Sequence, residues 1–175
     1  MAKPREIAQL GNEVLRKIAK SVVDVQTVDI LAVIEDMQAT LAESDGVGIA
    51  APQISESVCI VIIASRPTPR YPHAPVMEPT VMVNPSFLKL TEEREKDWEG
   101  CLSIPGIRAR VPRYREIEVN FQDTEGKQQS IRLNDFPARV FQHEYDHLNG
   151  YVYLDRVENN RDIISEKEYF KLIGV

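Results

Sequence analysis

Apolar residues in the first third of the chain recur at the spacing of a helix. Their clearest run is Leu31, Ile34, Met37 and Leu41. Residues three or four apart share one face of a helix, so this run predicts an amphipathic helix from about Val28 to Glu43. Gly46 follows its end, which is where glycine commonly terminates a helix.

The middle of the chain has the pattern of strands. Residues 58–64 (VCIVIIA) form a continuous, largely β-branched run, which predicts a buried strand. Further strands are predicted at residues 81–90, 117–121 and 129–133. The turn-forming residues 123–126 join the last two strands as a hairpin.

Two more helices are predicted, one early and one late. Asn12 can cap a short first helix, because its side chain can accept a hydrogen bond from a free backbone N–H. The late helix covers about residues 135–149. Asn134 or Asp135 can cap it, and Gly150 ends it.

One long segment is predicted to be irregular. Residues 65–80 hold prolines at positions 67, 69, 72, 75 and 79, and neither a helix nor a central strand tolerates that density. We therefore expect a single α+β domain over residues 1–175, with antiparallel strands packed around the late helix. A surface loop at 65–80 and a short tail after residue 155 complete it.

Composition narrows the function classes. The chain has 175 residues, 43% of them hydrophobic, and a net charge of −6. This is ordinary for a globular protein, and no basic stripe suggests a nucleic-acid surface. We expect no membrane span, because the longest apolar run has only the length of a strand. Cys59 and Cys101 could form one disulfide, but a reducing cytoplasm is expected because nothing indicates secretion.

The late helix carries the chemistry, in the segment QHEYDHL. His143 and His147 are four residues apart, so both imidazoles lie on one face and can bind one cation. Glu144 is placed beside such an ion without ligating it, where it can serve as a general acid and base. A chance match on a surface helix is the alternative, and the rarity of histidine in this chain makes it a poor one.

A third protein ligand is needed, because catalytic metal sites usually have three. In one class of zinc proteases it is a downstream histidine, but Tyr153 occupies that position here. Glutamates at 158, 166 and 168 are also available. Cys101 is the better candidate, because a thiolate binds transition metals strongly and is compatible with zinc or ferrous iron. Its segment, residues 98–106, is rich in glycine and proline and is predicted to be irregular.

Three segments together resemble the motifs of the peptide deformylases. They are GVGIAAPQ at 46–53, EGCLS at 99–103 and QHEYDHLNG at 142–150, in the order that the family has them. The resemblance covers roughly residues 5–155. It implies a metal-dependent hydrolase that removes the formyl group from the N-formylmethionine of new polypeptides. It also implies one divalent ion, Fe²⁺ in the cell, with Ni²⁺ or Zn²⁺ as replacements.

The resemblance also implies roles for individual residues. The matched metal ligands are Cys101, His143 and His147, and Glu144 matches the catalytic acid–base residue. The groups matched to oxyanion stabilisation are the Gln53 side chain and the Leu102 backbone N–H. The substrate peptide is expected to lie along Gly46, Val47 and Gly48.

Other assignments are open at this point. Val47, Phe136 and Val140 are candidates for the methionine pocket, and Arg108 for holding the peptide backbone or forming a surface salt bridge. Glu99, Gln142 and Asp146 are candidates for orienting ligands by hydrogen bonds. Each of these three could instead serve as a helix cap or a surface ion-pair partner.

The expected partners are N-formylmethionyl nascent polypeptides in a bacterial cytoplasm, with transient proximity to the ribosome. The tail at 156–175 has four basic and four acidic residues, so it lacks the basic character of a ribosome-docking helix. Three other functions stay open: a peptidase that cuts internal bonds, a relative that deformylates free amino acids, and a metal-binding domain without catalysis.

Overall fold

The computed structural model describes residues 2–175 of the chain. Its α-helices are α1 (Val28–Ala42), α2 (Asp135–Leu148) and α3 (Glu166–Ile173). Its strands are β1 (Gly48–Ala50), β2 (Ile60–Ile63), β3 (Thr80–Lys89), β4 (Arg94–Cys101), β5 (Ile104–Tyr114), β6 (Glu116–Gln122), β7 (Gln128–Asn134) and β8 (Ile163–Ser165). No helix among these residues has both the length and the apolar composition needed to cross a membrane.

The strands form two antiparallel sheets. The larger sheet has the order β1-β2-β3-β6-β7, and the smaller has the order β4-β5-β8. Strand β1 is at one edge of the larger sheet, paired only through Gly48–Ala50 with β2. Its other edge is therefore available to an added strand.

Strand β2 is buried on both faces, which explains its unbroken apolar sequence. Val61 and Ile63 belong to the core beneath α2, where Phe141 packs. Ile60 and Ile62 point the other way, into the core beneath α1. Side chains alternate between the faces of a strand, so helices on both sides require apolar residues at every position.

Most predicted elements are confirmed. Helices α1 and α2, strand β2 and the β6–β7 hairpin lie where the sequence patterns place them. The single α+β domain with antiparallel sheets around the late helix is confirmed as well. Residues 65–79 contain no helix or strand beyond an isolated bridge between Thr68 and Tyr71, as their prolines predict.

Three local predictions are wrong. The helix after Asn12 is a single 3-10 turn, Glu13–Arg16, because the chain becomes extended again at Lys17. Asn134 precedes α2 without a side-chain capping bond. Residues 98–106 are regular rather than irregular, because β4 and β5 pair across them. Separately, Cys59 and Cys101 are both free cysteines in the described part of the chain.

The tail is a packed part of the domain. Strand β8 pairs with β5 through Ile107–Ser165 and Ala109–Ile163, and α3 follows it directly. Tyr169 of α3 is buried, with its ring 5.8 Å from the ring of Trp98. The C-terminal residues therefore cover the outer side of the smaller sheet.

Candidate active site

Helix α2 carries three functional side chains into the interior. His143, Glu144 and His147 are all buried on this helix. The histidine rings are 5.3 Å apart between centroids, as side chains one helical turn apart should be. This face of α2 therefore presents two imidazoles and one carboxylate to the same space.

Cys101 reaches that space from the smaller sheet. It is the last residue of β4 and pairs with Ile104, so only Leu102 and Ser103 form the turn. Its Sγ atom lies 3.4 Å from His147 Nε2. One ligand atom each from Cys101, His143 and His147 can be chosen so that all lie within 4.8 Å of one another. The structure therefore has a buried cluster that could hold a metal ion.

Glu99 lies behind His143 in a network of buried charges. Its Oε2 atom is 2.9 Å from His143 Nδ1, which leaves the other ring nitrogen free for a metal. Arg113 donates to both Glu99 oxygens, at 2.8 and 3.1 Å, and Arg139 donates to Oε1 at 3.0 Å. These partners fix the orientation of the carboxylate, and through it that of the imidazole.

The electrostatics of this cluster suit a cation. Burial opposes a charged thiol, but His147 and His143 outweigh it and hold the pKa of Cys101 well below its usual range. Burial also opposes a charged His143, yet Cys101 and Glu99 hold its pKa well above the usual range. The cluster therefore favours a thiolate with positive charge beside it, and a divalent ion can supply that charge.

Glu144 has the environment of an acid–base residue. Its Oε2 atom is buried and has no hydrogen-bond partner among residues 2–175, and burial raises the pKa of this carboxyl to about 7. Gly48 makes room for it, because a Cβ atom at position 48 would lie 2.7 Å from Glu144 Oε1. A carboxyl that can take and return a proton near neutral pH suits general acid–base catalysis.

Gln53 is held with its amide group toward the cluster. Its Oε1 atom accepts a hydrogen bond from the Ala50 N–H at 2.9 Å. Its Nε2 atom lies 3.2 Å from Ser103 Oγ and 3.5 Å from Cys101 Sγ. The contacts with Ala50 and Ser103 therefore hold the Gln53 amide donor beside the Cys101 sulfur.

A cleft of about 420 Å³, including its open mouth, leads to these residues. The predicted residues that line it are Gly46, Val47, Gly48, Gln53, Glu99, Cys101, Leu102, Phe136, Val140, His143 and Glu144. His147 is fully buried behind them. The structure thus brings one edge strand, one hairpin turn and one helix to a single opening.

Known proteins resemble this chain in sequence. The sequence model of the polypeptide deformylase family matches residues 4–162 of the chain. Peptide deformylase 2 of Nostoc sp. is 51% identical over 167 residues, which are 95% of this chain and 93% of that protein. The chain belongs to the polypeptide deformylase family.

Solved structures of deformylases agree with the fold. A Met-Ala-Ser-bound class I type b peptide deformylase from Acinetobacter baumannii has a TM-score of 0.86 and 40% identity, and covers 90% of this chain and 100% of its own. A Synechococcus elongatus deformylase in complex with actinonin has a TM-score of 0.80 and 34% identity, and covers 99% of this chain and 88% of its own. The protein is thus a metal-dependent hydrolase that removes the formyl group from the N-terminal N-formylmethionine of new polypeptides.

Arg108 is the predicted site residue that the structure does not bring to the deformylase cleft. Its side chain is fully buried, and its Nε atom donates to Glu166 at 3.0 Å. The pairing of β5 with β8 places α3 over this guanidinium, and the tail gave no sequence signal for that contact. The prediction that Arg108 holds the substrate backbone is therefore replaced by an internal ion pair.

The cleft also has walls that sequence reasoning missed: Arg70, Tyr71, Trp98, Gly100 and Arg139. Arg139 could have been found, because it lies four residues before His143 on the same helical face. Tyr71 gave no such signal, since it belongs to the proline-rich loop. That loop therefore forms part of the cleft wall, through Arg70 and Tyr71.

Two of the three residues considered for ligand orientation lie farther from the ligands. Gln142 bonds the backbone of Tyr114, accepting from its N–H at 3.0 Å and donating to its carbonyl at 2.9 Å. Asp146 accepts from Arg113 at 2.6 Å and from Arg156 at 2.7 Å. Gln142 therefore fixes α2 against the end of β5, while Asp146 supports Arg113 and so Glu99 indirectly.

Proposed function

We propose that one divalent ion is held by Cys101, His143 and His147, with Glu144 as the acid–base residue of deformylation. The observation that carries this is the unpartnered, buried Glu144 Oε2 beside three converging ligand atoms. Three protein ligands with one position left open is the usual composition of a catalytic metal site. A purely structural ion would need neither an open position nor a buried carboxyl next to it.

Fe²⁺ is the proposed ion in the cell, with Ni²⁺ or Zn²⁺ as replacements in the purified protein. Two imidazoles and a thiolate form a donor set that suits each of these metals. A bound ion supplies Lewis acidity, which polarises the formyl oxygen and makes water a stronger nucleophile at neutral pH.

The protein groups divide the remaining chemistry between them. Glu144 accepts a proton as water attacks the formyl carbon, and it then donates a proton to the leaving amine. Negative charge grows on the formyl oxygen during the attack. The Gln53 Nε2–H, held by its bond to Ala50, and the Leu102 backbone N–H are proposed to stabilise this charge.

The substrate peptide is proposed to lie along β1, whose outer edge is not paired in the sheet. Gly46, Val47 and Gly48 would run beside it. The methionine side chain would enter the apolar part of the cleft formed by Phe136 and Val140. A formyl group carries only hydrogen on its carbonyl carbon, so the narrow space beside Gly48 selects it over larger acyl groups.

Nascent N-formylmethionyl polypeptides in the bacterial cytoplasm are the proposed substrates, met close to the ribosome. The relative from Acinetobacter baumannii was solved with Met-Ala-Ser, the product that deformylation of such a peptide would leave. The tail here carries no basic excess, so we propose a transient encounter rather than docking through the tail.

The test is turnover of formyl-Met-Ala-Ser by protein purified without oxygen and loaded with Fe²⁺ or Ni²⁺. Cys101→Ala should lose the metal and the activity together. Glu144→Gln should keep the metal but lose at least about 10²-fold in kcat, because it removes the proton carrier. No turnover by fully metallated wild type would refute the proposed function. Activity in Cys101→Ala would refute the third ligand, and free formyl-Met and acetyl-Met-Ala-Ser serve as comparison substrates.

A further inference from the structure

Arg108 occupies an unusual position for a fully buried charge. It belongs to β5 and has no exposed surface. Its guanidinium carbon lies 4.8 Å from the centroid of the Tyr71 ring and 4.5 Å from that of the Tyr169 ring. The ring of Phe170 is farther away, at 5.7 Å. The two nearer aromatic rings thus come from different segments, Tyr71 from the proline-rich loop and Tyr169 from the C-terminal helix.

The polar contacts of Arg108 join the same two segments. Its Nε atom donates to Glu166 of α3 at 3.0 Å, and its Nη2 atom donates to the Arg70 carbonyl at 3.3 Å. Its Nη1 atom has no hydrogen-bond partner in the part of the chain that the structure describes. The aromatic contacts therefore account for a large part of what keeps this guanidinium in the interior.

Tyr71 transmits this arrangement to the cleft. Its hydroxyl donates to the Gly100 carbonyl at 3.2 Å and accepts from the Gly100 N–H at 3.1 Å. Its ring lies 5.3 Å from that of Phe136, and both rings line the cleft. The position of Tyr71 thus determines the position of one side of the proposed methionine pocket.

Gly100 shows how closely Arg108 approaches that wall. A Cβ atom at position 100 would lie 2.7 Å from Arg108 Nε and 2.8 Å from its Cδ atom. The guanidinium stem therefore packs directly against the backbone to which Tyr71 is bonded. No side chain larger than hydrogen leaves space for that contact.

We propose that Arg108, held by Glu166 and Tyr169 of the C-terminal helix, positions Tyr71 and thereby sets the size of the pocket for the substrate's first side chain. Arg108 is a positioning residue, since it contacts Tyr71 but does not itself line the cleft. Through this contact, the C-terminal helix would influence which substrate side chains fit the pocket. The proposal rests on the proposed function, because it concerns the pocket of that site.

The test compares Arg108→Met and Glu166→Gln with wild type in the metal-loaded enzyme. Methionine keeps much of the volume of the arginine stem without its charge. We expect KM for formyl-Met-Ala-Ser to rise about tenfold in Arg108→Met, the scale of a lost buried cation–π contact. Metal content should be unchanged and kcat should stay within about twofold, since no reacting group moves. The preference for formyl-Met-Ala-Ser over formyl-Phe-Ala-Ser should narrow by a similar factor.

Lysine at the same position separates charge from geometry. Arg108→Lys keeps the positive charge but loses the planar guanidinium that lies between two rings. Its KM and its selectivity should therefore lie between those of Arg108→Met and wild type. Glu168→Gln is the matched control on the same helix, because among the described residues the Glu168 carboxylate pairs with the exposed Lys171 alone. It should behave as wild type.

A double-mutant cycle decides whether Arg108 acts through Tyr71. If it does, Arg108→Met should add little to the KM effect of Tyr71→Ala. Additive effects, or unchanged KM and selectivity in folded Arg108→Met, would overturn the proposal. Should Arg108→Met fail to fold, Glu166→Gln carries the test, because its side chain is 27% exposed. Inactive, metallated wild type would instead refute the proposed function.

Discussion

Gly48 is the residue on which the position of the catalytic carboxyl depends most directly. Its missing side chain leaves the space that Glu144 and Val140 occupy. We predict that Gly48→Ala lowers kcat by about 10²-fold. The added methyl group would displace the Glu144 carboxyl, and a displacement of about 1 Å in a catalytic group can reduce the rate by that factor. Metal content should stay at the wild-type level. Steady-state kinetics with metal analysis checks both.

The control for this substitution is Gly126→Ala, in the turn between β6 and β7. That glycine has φ +78° with no atom within 4 Å of an added Cβ. It should lose some stability and keep its activity. Equal loss of kcat in the two variants would mean that Gly48 has no special relation to Glu144.

Glu99 is the second residue with a predictable effect. It accepts hydrogen bonds from Arg113 and Arg139 and orients His143. Glu99→Gln keeps the shape but removes the charge between two buried guanidinium groups. Metal affinity should fall about 10- to 100-fold, and unfolding free energy by about 3 kcal/mol. Competition with a chromogenic chelator and urea unfolding measure the two quantities.

Glu95→Gln is the comparison for Glu99→Gln. Glu95 is half exposed and lies 3.9 Å from Arg115, so its loss should change stability by less than about 1 kcal/mol. Wild-type metal affinity in Glu99→Gln would show that the network does not hold the ligand.

At the scale of elements, the end of α2 is fixed by close contact with the N-terminal segment. Gly150 has φ +75°, and a Cβ atom there would lie 2.6 Å from the Arg16 carbonyl oxygen. We predict that Gly150→Ala lowers the unfolding free energy by more than about 2 kcal/mol, since backbone strain and a backbone clash add together. Urea unfolding of the metal-free protein gives the value.

Gly174 follows α3 with nearly the same angle, φ +76°, and an added Cβ would meet nothing within 4 Å. Gly174→Ala should therefore cost only the strain, about 1 kcal/mol. A loss in Gly150→Ala no larger than this would argue against the clash with Arg16.

The elements also show where sequence patterns were sufficient. Helix α2 was predictable because its face repeats every three to four residues and Gly150 stops it. The β4–β5 hairpin was missed because its glycines and prolines resemble those of a loop. Gly100 leaves space for the Arg108 side chain, which packs against it in the folded chain. A local sequence pattern does not reveal such a contact.

At the scale of the whole molecule, the proposed metal joins two parts of the fold. His143 and His147 come from the helix on the larger sheet, and Cys101 comes from the smaller sheet. Removal of the ion should therefore lower the melting temperature. At an ion concentration of about 100 times the dissociation constant, the bound ion contributes about 2.7 kcal/mol to the unfolding free energy. Its removal should therefore lower the melting temperature by roughly 5–10 °C for a domain of this size.

Differential scanning calorimetry with and without a chelator measures this shift, and added Zn²⁺ or Ni²⁺ should reverse it. Cys101→Ala should show a much smaller shift, because the ion loses the ligand that joins the sheets. A chelator-insensitive melting temperature in a protein shown to contain metal would contradict this joining role.

The sequence by itself determined the chemistry and the main elements. The spacing of His143 and His147 puts both on one helical face, and the run at 58–64 identifies a buried strand, because both patterns depend on local geometry. The three motifs also identified the family that the comparisons confirm. Only the tertiary structure decided how Glu99, Tyr71 and Arg108 are used. Their partners lie tens of residues away, and such contacts depend on how sheets and tail pack rather than on neighbouring residues.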